Sequence, residues 1–178
     1  MHVEILRLGH RVVRDERITT HISLVARLFK INKVLIAGVE DRGLRKSIKK
    51  VQELWGGNLE ILTNVNALEY IKTWKENGGK TVHLTMYGEK ITDEIIDTIK
   101  DFNKFLIIIG SQKVPTEIYE EADINLSIGN QPHSELSAVT IFLYEIMNKD
   151  KDFLYRKFEN AKQKIVPTKK SKKIVNED

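Results

Sequence analysis

The chain of 178 residues contains no cysteine and only three prolines. The lack of cysteine excludes disulfide bonds, a thiolate nucleophile, and zinc or iron–sulfur sites with cysteine ligands. No apolar run approaches the roughly 20 residues of a membrane-spanning helix, and no short His-x-x-x-His pair indicates a metal site. The first residues lack the apolar core of a signal peptide. We therefore expect a cytoplasmic protein with no metal and no membrane span.

Two common nucleotide-binding fingerprints are also missing. No G-x-G-x-x-G follows the first buried strand, and no G-x-x-x-x-G-K-[ST] occurs anywhere in the chain. These glycine-rich turns bring backbone amides close to the phosphates of dinucleotides and of ATP. Their absence argues against NAD and ATP as ligands.

The small net charge of +4 conceals an uneven distribution. Residues 1–50 carry 12 basic and 5 acidic side chains, residues 51–148 carry 7 and 15, and residues 149–178 carry 10 and 5. Clustered lysine and arginine suit the phosphates of a nucleic acid. Solvated helix faces give the same pattern, and charge alone leaves both interpretations open.

Strand-like and helix-like segments alternate along the chain. The clearest strands are Lys33–Val39 and Phe105–Ile109, and Ser134–Met147 predicts a long helix with apolar residues on two sides. This alternation predicts an α/β fold with a mainly parallel sheet flanked by helices. The second apolar side of the long helix requires a cover, for which another subunit is the natural candidate.

Three loops that follow predicted strands are rich in glycine, proline and polar residues. Tyr87-Gly88 follows Thr81–Met86, residues 110–115 follow Phe105–Ile109, and residues 129–135 follow Ile124–Ile128 and lead into the long helix. Ligands of parallel sheets bind at the carboxyl ends of strands. The pattern indicates a site built from backbone groups and a helix N-terminus.

The first loop of the chain is dense in basic side chains, with Arg7, His10, Arg11, Arg14 and Arg17 in eleven positions. Forked guanidinium donors favour phosphate binding. A surface network of ion pairs with the neighbouring acidic residues is the alternative. His83, within a predicted strand, is interpreted as a buried core histidine or, less simply, as a catalytic group.

Several segments together resemble the archaeal tRNA (cytidine-56-2'-O)-methyltransferase family. They are Arg7-Leu8-Gly9-His10-Arg11 with Arg14-Asp15, His83-Leu84-Thr85-Met86-Tyr87-Gly88, Lys113-Val114-Pro115, residues 128–135 (IGNQPHSE) and the tail Lys164-Ile165-Val166-Pro167. The resemblance covers nearly the whole chain, in order and spacing. It implies a SPOUT-type fold with a C-terminal trefoil knot, a homodimer, and 2'-O-ribose methylation of a cytidine in the T-loop of tRNA. It also implies a methyltransferase domain over residues 1–150 and a basic extension over 151–178.

The resemblance further implies that the cofactor is S-adenosylmethionine, held by the loops that follow the strands. Carried onto this chain, the expected cofactor contacts are Leu84, Gly110, Ser111, Gln112, Lys113, Val114, Ile128, Gly129, Asn130, Gln131, Pro132, His133, Ser134 and Glu135. The expected RNA contacts are Arg7, Arg11, Arg14, Lys169, Lys170, Lys172 and Lys173.

The catalytic groups are less directly implied. Many related ribose methyltransferases carry an arginine about two residues before an Ala-x-x-Phe stretch, where this chain has Leu24. We therefore expect Arg17, and after it Arg14, to serve as the catalytic arginine. Glu135 either accepts a hydrogen bond from ribose or cofactor, or only favours the helix dipole. Two other functions remain open here: a non-catalytic RNA-binding α/β module, and a Rossmann-type methyltransferase that modifies a base.

Overall fold

Strands and helices alternate along the chain as the hydrophobic pattern predicts. The structure is a computed structural model that describes residues 1–12, 14–110 and 113–177. The strands are β1 (His2–Arg7), β2 (Lys33–Ala37), β3 (Glu60–Val65), β4 (Lys80–Lys90), β5 (Lys104–Ile109), β6 (Ile124–Ser127), β7 (Gln163–Ile165) and β8 (Ile174–Asn176). The helices are α1 (Glu16–Leu28), α2 (Arg42–Trp55), α3 (Ala67–Glu76), α4 (Asp93–Lys100), α5 (Thr116–Glu121), α6 (Glu135–Ile146) and a 3₁₀ turn (Asp152–Tyr155).

The first six strands form one parallel sheet in the order β3-β2-β1-β5-β4-β6. The central strands β1 and β5 are covered on both faces, and Phe105, Leu106, Ile107 and Ile108 are fully buried. Continuous apolar runs of this kind are typical of parallel strands with helices on both faces. The predicted α/β architecture with a parallel sheet is therefore confirmed.

Each face of the sheet has its own apolar core. Helices α1, α2, α4 and α6 cover one face, where Ile22, Ile48 and Phe142 are buried. Helices α3 and α5 cover the other face with Ile71, Trp74 and Ile118. Both layers leave the carboxyl ends of the strands free to carry loops, which is where ligands of parallel sheets bind.

Helix α6 has more apolar surface than this chain covers. Val139, Phe142, Leu143 and Ile146 are buried against the sheet, whereas Ile141 remains 46% exposed. The helix begins at the Ser134 cap, whose hydroxyl accepts a hydrogen bond from the backbone N–H of Leu136 at 3.2 Å. Of the second apolar side predicted from the sequence (Ala138, Ile141 and Phe142), Phe142 is buried within this chain, Ala138 is half-buried and only Ile141 is exposed.

Strand β4 runs further than the sequence predicts. The expected strand ended at Met86, but β4 continues to Lys90 because Glu89 and Lys90 pair with Leu126 and Ser127 of β6. Leu126 is also in register with Leu84, so residues 85–88 lie between two pairings to the same part of β6. A Cβ atom on Gly88 would lie 2.6 Å from the carbonyl of Asn125, and only glycine permits this approach.

The segment after α6 packs back onto the body of the protein. Phe153 is 7% exposed, and its ring stacks on Phe29 with centroids 5.8 Å apart. Strands β7 and β8 then form an antiparallel hairpin of their own. Within the described residues, no helix is long and apolar enough to cross a membrane.

Candidate active site

A cavity of about 500 Å³ opens at the carboxyl ends of β4, β5 and β6. Three loops line it together with the start of α6, as expected for a parallel sheet. Nine residues predicted from the sequence meet in it: Leu84, Gly110, Lys113, Val114, Ile128, Gln131, His133, Ser134 and Glu135. Ser111 and Gln112, also predicted, lie outside the described residues. We call this space the strand-end cavity.

Other predicted residues shape the loop between β6 and α6 without belonging to the described lining. Asn130 donates from Nδ2 to the carbonyl of Met86 at 2.7 Å and to the hydroxyl of Ser127 at 3.0 Å. Gly129 has a φ of 90°, and Pro132 is exposed. The hydrogen bond from Asn130 to Met86 thereby connects the β6–α6 loop to β4, and these two segments form two walls of the strand-end cavity.

A second hollow of about 320 Å³ adjoins the first. Its described lining is Arg7, Arg11, Arg14, Asp15, Ile18, His133, Ser134 and Glu135, and we call it the arginine-lined hollow. The two spaces share His133, Ser134 and Glu135. The first turn of α6 is therefore the boundary between a loop-built cavity and a basic hollow.

Arg7 and Glu135 form an ion pair at this boundary. Nε and Nη2 of Arg7 each lie 3.2 Å from Oε2 of Glu135, although 128 residues separate the two in sequence. Arg7 is only 2% exposed, so its charge is directed to Glu135 rather than to solvent. Burial raises the pKa of the Glu135 carboxyl, and the Arg7 guanidinium offsets part of this rise.

Behind Arg7, a buried chain of polar groups fixes the first loop. Nη1 of Arg7 donates to the carbonyl of Gly9 at 3.2 Å. Nε2 of His10 lies 2.8 Å from Oδ2 of Asp41, so it carries the proton, and Nδ1 is left to accept from the Thr19 hydroxyl at 2.9 Å. His10 therefore acts as a structural link from the arginine-rich loop to α1 and α2.

The arginines of the first loop differ in whether they form ion pairs. Arg11 donates from Nε and Nη2 to both oxygens of Asp15 at 3.0 and 3.1 Å, and these hydrogen bonds lower the pKa of Asp15. The surface ion-pair interpretation thus holds for this residue. Arg14 and Arg17 are exposed and form no ion pair with any described residue. Arg14 lines the arginine-lined hollow, whereas Arg17 lies on the first turn of α1, outside the described lining of both spaces.

His83 lines the strand-end cavity, although the sequence did not place it among the expected cofactor contacts. The side-chain amide of Asn125 donates to the carbonyl of Tyr119 at 2.9 Å, so its oxygen faces Nδ1 of His83 at 2.8 Å. Nδ1 therefore carries the proton and Nε2 is an acceptor. Nε2 is buried and has no hydrogen-bond partner among the described residues, and burial lowers the pKa of the ring. The available signal was its position directly before Leu84, which the sequence had already placed at the cofactor site.

The described residues contain no group of three or more histidine, aspartate or glutamate side chains arranged to hold a metal ion. The polar groups of the site are instead an ion pair, exposed arginines, a neutral histidine and the N–H groups at the start of α6. Such groups bind anions and orient hydroxyl and amine donors.

Known proteins match this chain over most of its length. A family model described as tRNA ribose 2'-O-methyltransferase, aTrm56, matches residues 55–175. Two relatives named tRNA (cytidine(56)-2'-O)-methyltransferase are similar over almost the entire chain. The one from Staphylothermus marinus is 49% identical and covers 98% of this chain and 92% of its own length. The one from Methanocaldococcus jannaschii is 47% identical and covers 99% and 98%.

Solved structures share the fold at low sequence identity. The TrmH/SpoU tRNA modifying enzyme of A. aeolicus is 16% identical, with a TM-score of 0.61 over 87% of this chain and 79% of that one. The SpoU methyltransferase AviRb of Streptomyces viridochromogenes, crystallised with AdoMet, is 16% identical with a TM-score of 0.58 over 83% and 57%. From the family model and the near full-length relatives, the resemblance seen in the sequence is confirmed: the chain belongs to the aTrm56 family of tRNA ribose 2'-O-methyltransferases.

Proposed function

We propose that this chain transfers a methyl group from S-adenosylmethionine to the ribose 2'-hydroxyl of cytidine 56 in the T-loop of tRNA. One observation carries the proposal beyond the family match. The strand-end cavity and the arginine-lined hollow meet at His133, Ser134 and Glu135. A small cofactor in the first space and a phosphate-bearing substrate in the second therefore have their reacting ends on the same turn of helix.

The residues of the strand-end cavity fit S-adenosylmethionine. Its volume of about 500 Å³ lies within the range of small-molecule sites. Nε2 of His83 is a buried acceptor with no partner in the described part of the chain, and the cofactor carries amine and hydroxyl donors that suit it. When bound, S-adenosylmethionine supplies a methyl group on a sulfonium, which is a good leaving group. Leu84, Gly110, Lys113, Val114, Ile128 and Gln131 would surround it.

Glu135 is the group best placed to handle the proton of the substrate hydroxyl. The Glu135 carboxylate would accept the O–H proton of the ribose as the hydroxyl oxygen takes up the methyl group that the bound sulfonium supplies. The raised pKa of this carboxyl makes it a better proton acceptor than an ordinary glutamate. Arg7 fixes its orientation through two contacts of 3.2 Å to Oε2.

The exposed arginines hold the substrate. Arg14 and Arg17 are charged and unpaired among the described residues, and an arginine is a poor base. We therefore assign Arg14, which lines the arginine-lined hollow, to the phosphates beside the target and to the negative charge that develops on the ribose oxygen. Arg17, on the first turn of α1 outside the described lining of both spaces, is assigned to a neighbouring phosphate of the tRNA. Arg11 and the hairpin lysines Lys169, Lys170, Lys172 and Lys173 extend the RNA contact. Arg7 is buried, so we assign it to the positioning of Glu135 instead of the RNA contact expected from the sequence.

The trefoil knot and the homodimer belong to the same proposal. The knot in the C-terminal half is proposed from the membership of the chain in this family. The exposed Ile141 on the outer side of α6 supports burial of this side against a second copy. A cytoplasmic site of action follows from a tRNA substrate, and residues 151–178 act as a basic extension of the methyltransferase domain.

The proposal is tested by incubating the purified protein with an unmodified tRNA transcript and methyl-labelled S-adenosylmethionine. We expect label in the tRNA and loss of alkaline cleavage after cytidine 56. A transcript with 2'-deoxycytidine at this position is the matched control and should accept no label. If the protein binds tRNA but calorimetry shows no heat when S-adenosylmethionine is added, the result would instead favour the non-catalytic RNA-binding module.

A further inference from the structure

Helix α2 presents a strongly basic outer face that the site described above does not use. Its 14 residues include five basic side chains, Arg42, Arg45, Lys46, Lys49 and Lys50, and all five are exposed. Leu44 and Ile48 on the opposite side are buried in the core. We call these five residues the α2 basic face.

The α2 basic face is only partly neutralised. Arg42 and Arg45 both contact Glu40, with 4.0 Å between Nε of Arg42 and Oε1 of Glu40. Lys46, Lys49 and Lys50 form no ion pair within the described part of the chain. Like charges three and four residues apart on a helix repel each other. A bound polyanion would relieve this repulsion, so the surface is suited to bind one.

The two ends of α2 lie against the two parts of the chain already assigned to RNA. At its start, the cap residue Asp41 bonds to His10 of the arginine-rich loop, with 2.8 Å between Oδ2 and Nε2. At its end, the carbonyl of Leu54 accepts from the backbone N–H of Lys162 at 3.0 Å, and Trp55 pairs with Ala161. With 14 residues the helix is about 21 Å long, so it bridges the loop and the C-terminal hairpin.

The hairpin continues the same positive charge. Strands β7 and β8 pair from Gln163 to Ile165 and from Ile174 to Asn176, and the turn between them is closed by the backbone N–H of Ser171, which donates to the Thr168 hydroxyl at 3.0 Å. Lys164 is paired with Glu177 at 2.9 Å. The four turn lysines, by contrast, are exposed and have no ion pair within residues 113–177 of the described chain: Lys169, Lys170, Lys172 and Lys173.

We infer that the α2 basic face is a docking surface for the tRNA phosphate backbone, and that it joins the arginine-rich loop to the hairpin in one basic track. The inference rests on the proposed function, since it names a further part of the same substrate. Ammonium groups bind phosphate without reading bases. The surface therefore contributes affinity and orientation along the tRNA, away from the ribose that is methylated.

The test compares two charge reversals on exposed helical lysines. Lys49→Glu changes the α2 basic face, and Lys72→Glu makes the same change in net charge on α3, which covers the other face of the sheet. Binding of full-length tRNA is measured without cofactor across a salt series. We expect Lys49→Glu to raise the Kd several-fold and to reduce the slope of log K against log salt by about one. Lys72→Glu should leave both unchanged.

Further measurements separate this result from loss of fold or of activity. Both variants, and the milder Lys49→Gln, should bind S-adenosylhomocysteine like the unchanged protein and keep its kcat at saturating tRNA. A T-arm stem-loop should bind Lys49→Glu and Lys72→Glu equally, because it lacks the distant backbone. If Lys49→Glu and Lys72→Glu have equal tRNA Kd values and equal salt slopes, the proposal that the α2 basic face binds the tRNA backbone is wrong. Absence of methyl transfer by the unchanged protein would refute the proposed function but leave this comparison interpretable.

Discussion

Oε2 of Glu135 accepts two contacts of 3.2 Å from the guanidinium of Arg7, one from Nε and one from Nη2. The pair connects the end of β1 to the first turn of α6, where the two spaces of the site meet. A buried arginine thus positions an acidic group at the place where a substrate hydroxyl would enter.

This pair predicts how activity depends on pH. Burial raises the pKa of Glu135, and the carboxylate form is the one that accepts a proton. Methyl transfer should therefore fall as the pH drops through this raised pKa. Arg7→Met removes the charge that holds the pKa down, so the acidic limb of the kcat profile should move to higher pH. Glu135→Gln should remove most of the activity, whereas Glu117→Gln, in the exposed first turn of α5, should change nothing. An unmoved acidic limb in Arg7→Met would contradict the role of the pair.

The exposed arginines should separate catalysis from cofactor binding. Arg14→Ala and Arg17→Ala each remove a guanidinium that has no ion-pair partner within the described chain. Loss of one preorganised charge contact typically costs about 10²–10³ in kcat. The alanine variant of the catalytic arginine should lose kcat by this factor while its Kd for S-adenosylhomocysteine stays unchanged. The lysine variant at the same position should recover only part of the activity. Full activity of both alanine variants would exclude these two residues from the reaction.

His83 should respond to the cofactor through Nε2. The nitrogen is a buried acceptor that no described residue contacts with a hydrogen bond, so the ¹⁵N resonance of Nε2 should move upfield when S-adenosylhomocysteine binds. His83→Leu should weaken cofactor binding, while His21→Leu, on the exposed side of α1, serves as the matched control. An unshifted resonance together with full affinity in His83→Leu would show that His83 is only a core residue.

The lowered pKa of His83 gives a related expectation for acid conditions. Burial keeps the ring neutral at physiological pH. Below the lowered pKa, Nε2 gains a proton and can no longer accept, so cofactor affinity should decline there. Since the unfolded chain binds this proton more readily, stability should also decrease as the pH falls below the ordinary histidine value. Titration of cofactor affinity against pH in the unchanged protein and in His83→Leu measures the first effect, which should be absent in the variant.

The exposed side of α6 predicts assembly. Ile141 is 46% exposed on a helix whose other side is buried. Ile141→Asp should shift the protein from dimer to monomer in sedimentation equilibrium, because a charge in an apolar interface is costly. Ile165→Asp introduces the same change at a residue 65% exposed on the hairpin and should leave the mass unchanged. A monomeric unchanged protein would contradict the proposed dimer.

The sequence predicted the sheet and the loops of the site because both depend on local patterns. Apolar runs identify β2 and β5 as buried strands, and glycine with proline after strands identifies the lining of the strand-end cavity. Pairings between distant segments leave no such pattern. The contact of Arg7 with Glu135, the second pairing of β4 around Leu126, and the unpartnered nitrogen of His83 depend on which loops fold together. Arg7 in particular resembles its neighbours Arg11 and Arg14 in sequence, and only burial distinguishes it.

The central claim is that one turn of α6 holds cofactor and tRNA ribose together. The most direct measurement is transfer of a labelled methyl group from S-adenosylmethionine to a tRNA transcript, mapped by alkaline cleavage. The account predicts one methyl group per tRNA, on the 2'-oxygen of cytidine 56, and none on the 2'-deoxycytidine transcript. Transfer to a base, to another nucleotide, or to no tRNA at all while the cofactor binds would contradict it.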